Sequence, residues 1–367
     1  MRNKVLLGVL VVILVGSLLV QTPEAVLTEP EEVSILVLLG HAFGWSFFEF
    51  MDVVQDWGCD VTITGNTLVI QSCLNREARP VETDILISEI ASEDLSNYDV
   101  LFVPSGGHWH DLIASESALN LIKMAYEEGL IISGICIGVT PIAASNITEG
   151  HVVTGHNFCF PYVHDSGGTI LPFMRVVSDG QLITGDNGAG PPAGYEGAPH
   201  YDLCVAIMKS LFGYSYFKDM TIQPVLEGND TVYYMNVTTS GQIHLFDDVT
   251  TTEIIEVTAM LHTSDNETII AEVELSDPEN DSIFVGSITG LELDDYVVDL
   301  EIQDANVSME FVRDALTFTA ENITTTTEST TTTAGDAILP VETIVVVGIA
   351  TFGVIVLIVI WRRKSGP

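Results

Sequence analysis

One cysteine stands where a nucleophile would. In Gly129-Leu-Ile-Ile-Ser-Gly-Ile-Cys136-Ile-Gly-Val-Thr-Pro-Ile-Ala-Ala-Ser145 an apolar, β-branched run ends at Cys136, with Gly134 and Gly138 two residues to either side, and a helix-forming segment follows at once. That is the layout of a nucleophile elbow, a sharp strand-to-helix turn that lifts one reactive side chain above a sheet. Glycines at those two places let neighbouring backbone pass close to the turn. A cysteine there sits at a helix N-terminus, whose dipole and free N–H groups favour thiolate over thiol. Attack of a thiolate on an acyl or aldehyde carbon builds an oxyanion, which needs donors fixed in advance. The amide of Ile137, directly after the nucleophile, is one candidate donor. The turn at Gly106 and Gly107, whose amides no side chain shields, supplies the others. A buried structural cysteine closing a core strand is the competing reading of so short a pattern.

The elements that must position this cysteine are legible as an alternation of strands and helices over residues 31–215. Val33 to Leu39, Asp99 to Pro104 and Leu130 to Ile135 are continuous apolar runs, and Ser46 to Trp57, Ser115 to Glu128 and Tyr201 to Leu211 carry helical spacing. Fully apolar strands separated by helices predict a parallel sheet covered on both faces, an α/β fold with enough length for a sizeable core. Between Cys59 and Cys73 the alternating run Asp60 to Ser72, broken at Gly65-Asn66, predicts a β-hairpin that would bring the two cysteines opposite each other as a disulfide pair. Cys159 and Cys204 read as core residues. From residue 218 to 322 the pattern changes to short β-rich runs split by Asp, Asn, Gly and Ser, which predicts a β-sandwich of immunoglobulin or fibronectin type without a catalytic constellation.

The α/β region resembles the DJ-1/PfpI superfamily, which shares the flavodoxin-like fold of class I glutamine amidotransferase-like proteins. The likeness covers residues 33 to 213. It is carried by Ile35-Leu-Val-Leu-Leu39, by Tyr98-Asp-Val-Leu-Phe-Val-Pro-Ser-Gly106-Gly107, by the cysteine elbow, and by Val152-Val-Thr-Gly-His156. The resemblance implies a cysteine-dependent activity (peptidase or amidase, glyoxalase-like, or chaperone-like), with His156 as the first choice of base or orienting partner for Cys136. It implies a histidine directly after the cysteine, where this chain has Ile137. It also implies a glutamate in the first loop and helix, where Ser46 takes the matching place and Glu49 follows one turn later. Glu49 lies among Phe47, Phe48 and Phe50, a neighbourhood that raises a carboxyl pKa. His108 and His110 follow the diglycine, and His200 precedes the last helix after a Gly/Pro-rich loop, so all three are secondary candidates. No metal site and no cofactor is expected. The substrate expected is a small carbonyl or amide compound or a peptide; a homodimer is left open, as is a catalytically silent binding or redox-sensing role.

The ends of the chain speak of location. Residues 1–25 read as a signal peptide or N-terminal anchor, 323–340 as a Thr-rich stalk, 341–361 as a membrane-spanning helix, and 362–367 as a basic cytoplasmic tail. A formal net charge of −39 leaves no basic surface for nucleic acid. Asn-x-Ser/Thr sequons at Asn146, Asn229, Asn236, Asn266, Asn280, Asn306 and Asn322 fit a glycosylated ectodomain outside the cell.

Overall fold

The computed structural model describes residues 29–73, 79–186, 199–228, 230–245 and 248–320, with 350–351 and 354–355. Its first strand, β1 (Ser34–Leu39), shows why helices cover both faces of the sheet. Successive side chains of a strand point to opposite faces. Ile35, Val37 and Leu39 enter one core and Leu36 and Leu38 the other, and none of the five is exposed.

Chain order continues through α1 (Ser46–Asp56), β2 (Asp60–Gly65), β3 (Val69–Gln71), β4 (Pro80–Glu82), β5 (Ile85–Leu86) and β6 (Val100–Val103). Next come α2 (Trp109–Ile113), α3 (Glu116–Glu127), β7 (Ile131–Ile135), α4 (Val139–Ala144), β8 (Val152–Val153) and α5 (Phe160–Asp165). β9 (Thr169–Ile170), β10 (Val176–Asp179), β11 (Leu182–Gly185) and α6 (His200–Leu211) complete the α/β region. The sheet runs β5-β2-β1-β6-β7-β11-β10, parallel except for the β10–β11 hairpin. α1 and α6 pack Phe50, Val54, Leu203 and Ile207 on one face, while α3, α4 and α5 pack Leu121, Ile142 and Val163 on the other. The predicted α/β architecture is therefore present.

The predicted hairpin is not. β2 lies alongside β1 in parallel from Ser34↔Asp60 to Leu39↔Gly65, and β3 turns away to pair with β4. A period of two identifies a strand without naming its partner, and here β1 offers six residues of register. Cys59, just before β2, and Cys73, after β3, therefore flank strands with different partners, and neither is disulfide-bonded. Burial pushes the Cys59 thiol up to about 11.

The C-terminal region is β-rich, as the sequence predicts: β12 (Phe217–Glu227), β13 (Asp230–Thr239), β14 (Gln242–Leu245), β15 (Asp248–Thr251), β16 (Ile254–Thr263), β17 (Asn266–Leu275), β18 (Ile283–Thr289), β19 (Asp295–Asp304) and β20 (Ser308–Thr319). β12-β13-β18 form one layer, whose Met235, Val237 and Phe284 share a core with Val257, Leu261 and Leu300 of β16 and β19. The layer β17-β16-β19-β20 does not stand alone. β20 pairs in parallel with β10 from Val176↔Ser308 to Asp179↔Phe311, so one eleven-stranded sheet runs through both regions.

Charged side chains lock this junction. Lys209 of α6 is buried against Glu310 of β20, which also accepts from the Ser215 hydroxyl. Tyr216 donates its hydroxyl to Asp304 (2.9 Å). Arg313 reaches Asp179 at 2.7 Å and Asp299 at 3.3 Å.

The leader, the Thr-rich segment and the basic tail lie outside the described residues. So does the predicted span 341–361, except that Ala350–Thr351 and Val354–Ile355 pair as two short antiparallel strands rather than continuing a helix. Among the described residues, no helix is long and apolar enough to cross a membrane. Asn146, Asn266, Asn280 and Asn306 are exposed and Asn236 is half-buried, whereas Asn229 and Asn322 lie outside the described residues.

Candidate active site

At the end of β7 the backbone of Cys136 takes φ +57°, and a 3-10 turn over Cys136–Gly138 leads directly into α4. A left-handed conformation at a non-glycine residue is strained by about 1–3 kcal/mol and persists only where its surroundings over-determine it. Here they do. A Cβ at Gly138 would lie 2.4 Å from the Val103 carbonyl oxygen, and one at Gly134 would lie 2.5 Å from Ile142 Cδ1. β6 thus presses on the outside of the elbow and α4 on the inside, and both glycines are needed for the close approach the sequence predicts.

The diglycine after β6 is clamped in the same way. Gly106 sits at φ +120°, and a Cβ there would be 2.2 Å from the Gly44 nitrogen. Gly44 N–H donates to the Ser105 carbonyl (2.6 Å) and His108 N–H to the Ala42 carbonyl (3.3 Å), while Gly107 faces Ala42 with more room. Ser46, the residue in the expected glutamate's place, is buried and donates to Ser105 Oγ at 2.8 Å while accepting from Ser105 N–H at 2.8 Å. Its hydroxyl fixes the β1–α1 loop over the strand ends.

Most of the proton-handling candidates turn out to have other work. The side chain of His108 is fully enclosed, accepts from Gly40 N–H at Nδ1 (3.1 Å) and donates from Nε2 to the Pro104 carbonyl (2.7 Å). Burial pushes its imidazole down to about 4, with smaller opposing effects from the Pro104 hydrogen bond and Asp111. It is a staple between β1 and β6, not a rim base. His110 is exposed and lies 3.6 Å from the Trp109 ring. Glu49 and His200 pair with each other, Oε2 to Nε2 at 2.9 Å, tying α1 to α6. His156 reaches the nucleophile through its backbone, donating N–H to the Cys136 carbonyl (3.2 Å). Its ring accepts the Phe158 N–H at Nδ1 (3.2 Å), capping the next turn. Among the described residues no imidazole is hydrogen-bonded to the Cys136 sulfur.

The protonation state also differs from expectation. Cys136 keeps some solvent contact, yet burial of its sulfur raises the thiol to about 12, against the Ile137 amide that points to it and with Asp186 adding in the same direction. Enclosure of the sulfur outweighs the hydrogen bond from the Ile137 amide. Asp186 is the functional candidate that sequence reasoning missed. β11 and β7 are parallel with Gly185 opposite Ile135, so Asp186 and Cys136 are each the next residue out of the sheet. Asp186 is 4 % exposed. The only signal in the sequence is a carboxylate directly after the apolar run Leu182 to Gly185. Cys159 and Cys204 are buried as predicted, and Cys159 donates its thiol to the His156 carbonyl (2.6 Å). The Gly/Pro-rich loop before His200 falls largely on 187–198, outside the described residues. His262, Asp299 and Asp314 bring three ligand atoms within 4.8 Å in the β-rich region, but Arg313 already faces Asp299 there.

The fold, the elbow and the diglycine turn agree with a family match over residues 33–195. This segment is a DJ-1/PfpI family domain. The domain contains Cys136, His156, Gly106, Gly107 and Asp186, and ends before α6 and the β-rich region. Protein DJ-1 homolog D of Arabidopsis thaliana is 30 % identical over 117 residues, 31 % of this chain and 30 % of that protein. The chain thus spans under a third of that relative's length. A two-domain protein with DJ-1/ThiJ/PfpI-like and ferritin-like domains from Anabaena variabilis is 18 % identical, with 50 % of this chain and 48 % of that one covered and a TM-score of 0.43. Drosophila melanogaster DJ-1beta is 23 % identical, with 49 % and 91 % covered and a TM-score of 0.41.

Proposed function

We propose that the DJ-1/PfpI domain is a cysteine-dependent enzyme in which Cys136 adds to small carbonyl compounds. The observation that carries this reading is the left-handed backbone of Cys136 at the strand-to-helix turn. Carbonyl addition fits the surroundings better than amide hydrolysis. Cleaving an amide requires a general acid to protonate the departing amine, the task of the imidazole in a triad. The rings of His156, His108 and His200 are occupied elsewhere. Addition of a thiol to an aldehyde needs only that one proton pass from sulfur to oxygen. Exposure of the full chain to methylglyoxal, followed by intact-mass and peptide analysis, should give an adduct on Cys136 that Cys136→Ser abolishes. Absence of both adduct and turnover overturns the reading.

A thiol raised to about 12 favours one second reading, a binding or redox-sensing domain without turnover. Under that reading alkylation of Cys136 shows its ordinary dependence on a high thiol pKa and no aldehyde is consumed. We also propose a membrane-surface location with the folded region outside. Its support is the apolar run 341–361, the basic residues after it, the Thr-rich segment and the sequons. Protease added to intact cells tests it: the folded region should be digested with the tail protected, and protection of the folded region refutes it.

A further inference from the structure

We propose that His262, Asp299 and Asp314 bind a zinc ion on the outer face of the β-rich region, outside the DJ-1/PfpI domain. The site has its origin in an irregularity of the sheet. The pairing of β19 with β20 slips between Val298↔Leu316 and Leu300↔Val312, so Arg313 and Asp314 both reach the single residue Asp299. A bulge of this kind re-aims side chains. Asp299 stands opposite Met260 of β16, and His262, two residues further along the same face, meets it on the diagonal. One ligand atom from each of His262, Asp299 and Asp314 then lies within 4.8 Å of the other two.

The orientation of the imidazole points to a metal ion. A carbonyl oxygen only accepts, so the contact of Nδ1 with the Thr263 carbonyl (3.1 Å) makes Nδ1 the donor. Nε2 of the neutral ring is then an acceptor. It faces Asp299 Oδ2 at 3.7 Å, so two acceptors meet where the side chains are only 12 % and 10 % exposed. A tetrahedral zinc with ligands at about 2.0–2.2 Å holds them roughly 3.3–3.6 Å apart, close to that spacing. Donation of the other ring N–H to a backbone carbonyl is also the usual support of a metal-bound histidine. The carboxylate is held from outside in the same manner, since Asp299 Oδ1 accepts from Asp314 N–H (2.8 Å) and Oδ2 from Arg313 (3.3 Å). Arg313 does not fill the site. Its closer contacts, at 3.1 and 2.7 Å, go to Asp179, a carboxylate outside the ligand set that balances its charge. Glu301 adds negative potential beside the three ligands, and its own carboxyl is pushed up by burial and by Glu272 and Glu256. Asp314 is exposed and the groove over Met260 and Phe311 opens here, so a fourth position is left for water. One imidazole with two carboxylates suits zinc better than magnesium or calcium, which take oxygen ligands.

Zinc chloride titrated calorimetrically into the full chain, stripped beforehand with EDTA, tests the site. One ion should bind per chain. His262→Gln and Asp314→Asn should each weaken binding by at least about tenfold, since losing even an outer partner of a metal ligand costs that much. Cobalt(II) in the same place should give the visible absorption of a four-coordinate ion, and His262→Gln should abolish it. A wild-type chain that binds no zinc overturns the proposal and leaves His262 and Asp299 as an ordinary ion pair. Zinc that binds both variants as tightly as the wild type is held elsewhere, by cysteines for instance, and overturns it equally. Tighter binding of calcium than of zinc refutes the choice of ion. Asp314 is exposed, so Asp314→Asn reads the site even if His262→Gln fails to fold.

Discussion

His108 makes the stability of this domain depend on pH in a window set by its burial. Its ring is fully enclosed, and Nδ1 accepts from Gly40 N–H while Nε2–H donates to the Pro104 carbonyl. Protonation would place a second N–H against the Gly40 N–H and a charge in an apolar site. The imidazole accordingly falls from an ordinary 6.5 to about 4. Between these values the unfolded chain holds the proton and the folded chain does not, so stability rises with pH across the window. The contribution is complete above pH 6.5, is lost as pH falls toward 4, and changes no further below that. A difference of roughly 2.5 units corresponds to about 3 kcal/mol at 1.36 kcal/mol per unit. Urea unfolding of wild-type chain and His108→Gln, at a series of pH values from about 7.5 to about 4.5, reads this directly. The variant keeps one donor and one acceptor but cannot charge in this range. It should be less stable at neutral pH and lose less on acidification, by about 2.5 kcal/mol over that interval. Titration of the many carboxylates is common to both chains and cancels in the difference. Parallel profiles for the two proteins would show that the ring is not held neutral by the fold.

The remaining predictions concern the two close approaches that shape the molecule. Gly106→Ala places a Cβ 2.2 Å from the Gly44 nitrogen at φ +120°, so at least about 3 kcal/mol should be lost. A lowered thermal midpoint with a disordered β1–α1 loop by hydrogen exchange would confirm it, and an unchanged midpoint would not. At the junction of the two regions, Lys209→Met and Glu310→Gln each leave a buried partner uncompensated and should cost about 3–5 kcal/mol. The double change Lys209→Met with Glu310→Gln should cost clearly less than the two single changes added together in denaturant titrations, because no orphaned charge remains. Additive losses would mean that the pair is not coupled.

Legibility in the sequence followed the range of the interactions. β1, β6, β7, α1, α3 and α6 were readable because each is fixed by its own apolar periodicity. The elbow was readable because Gly134, Cys136 and Gly138 lie within five residues. β2 was misassigned a hairpin partner, since alternation in Asp60 to Gly65 says nothing of the parallel register offered by β1. The pairing of β20 with β10 joins residues about 130 apart in the chain and leaves no local trace, so the β-rich region read as a separate sandwich. His108 illustrates the same limit within the site. Its position after the diglycine makes it a secondary candidate for proton handling, but its ring is held by Gly40, 68 residues away. Asp186 became visible only once β11 and β7 were in register.

The elbow and its proton chemistry therefore have separate physical origins. Backbone geometry at Cys136 is hemmed in by contacts of Gly138 with β6 and of Gly134 with α4, neither of which involves an acid or a base. Those contacts persist although the residue after the cysteine is Ile137 and the matching loop position is Ser46. A fold that merely buried a cysteine would have no need of φ +57° there, since an ordinary strand end would relieve about 1–3 kcal/mol of strain. Strain of that size, kept at a strand-to-helix turn where the sulfur retains some solvent contact, is the physical ground for the carbonyl addition proposed at Cys136.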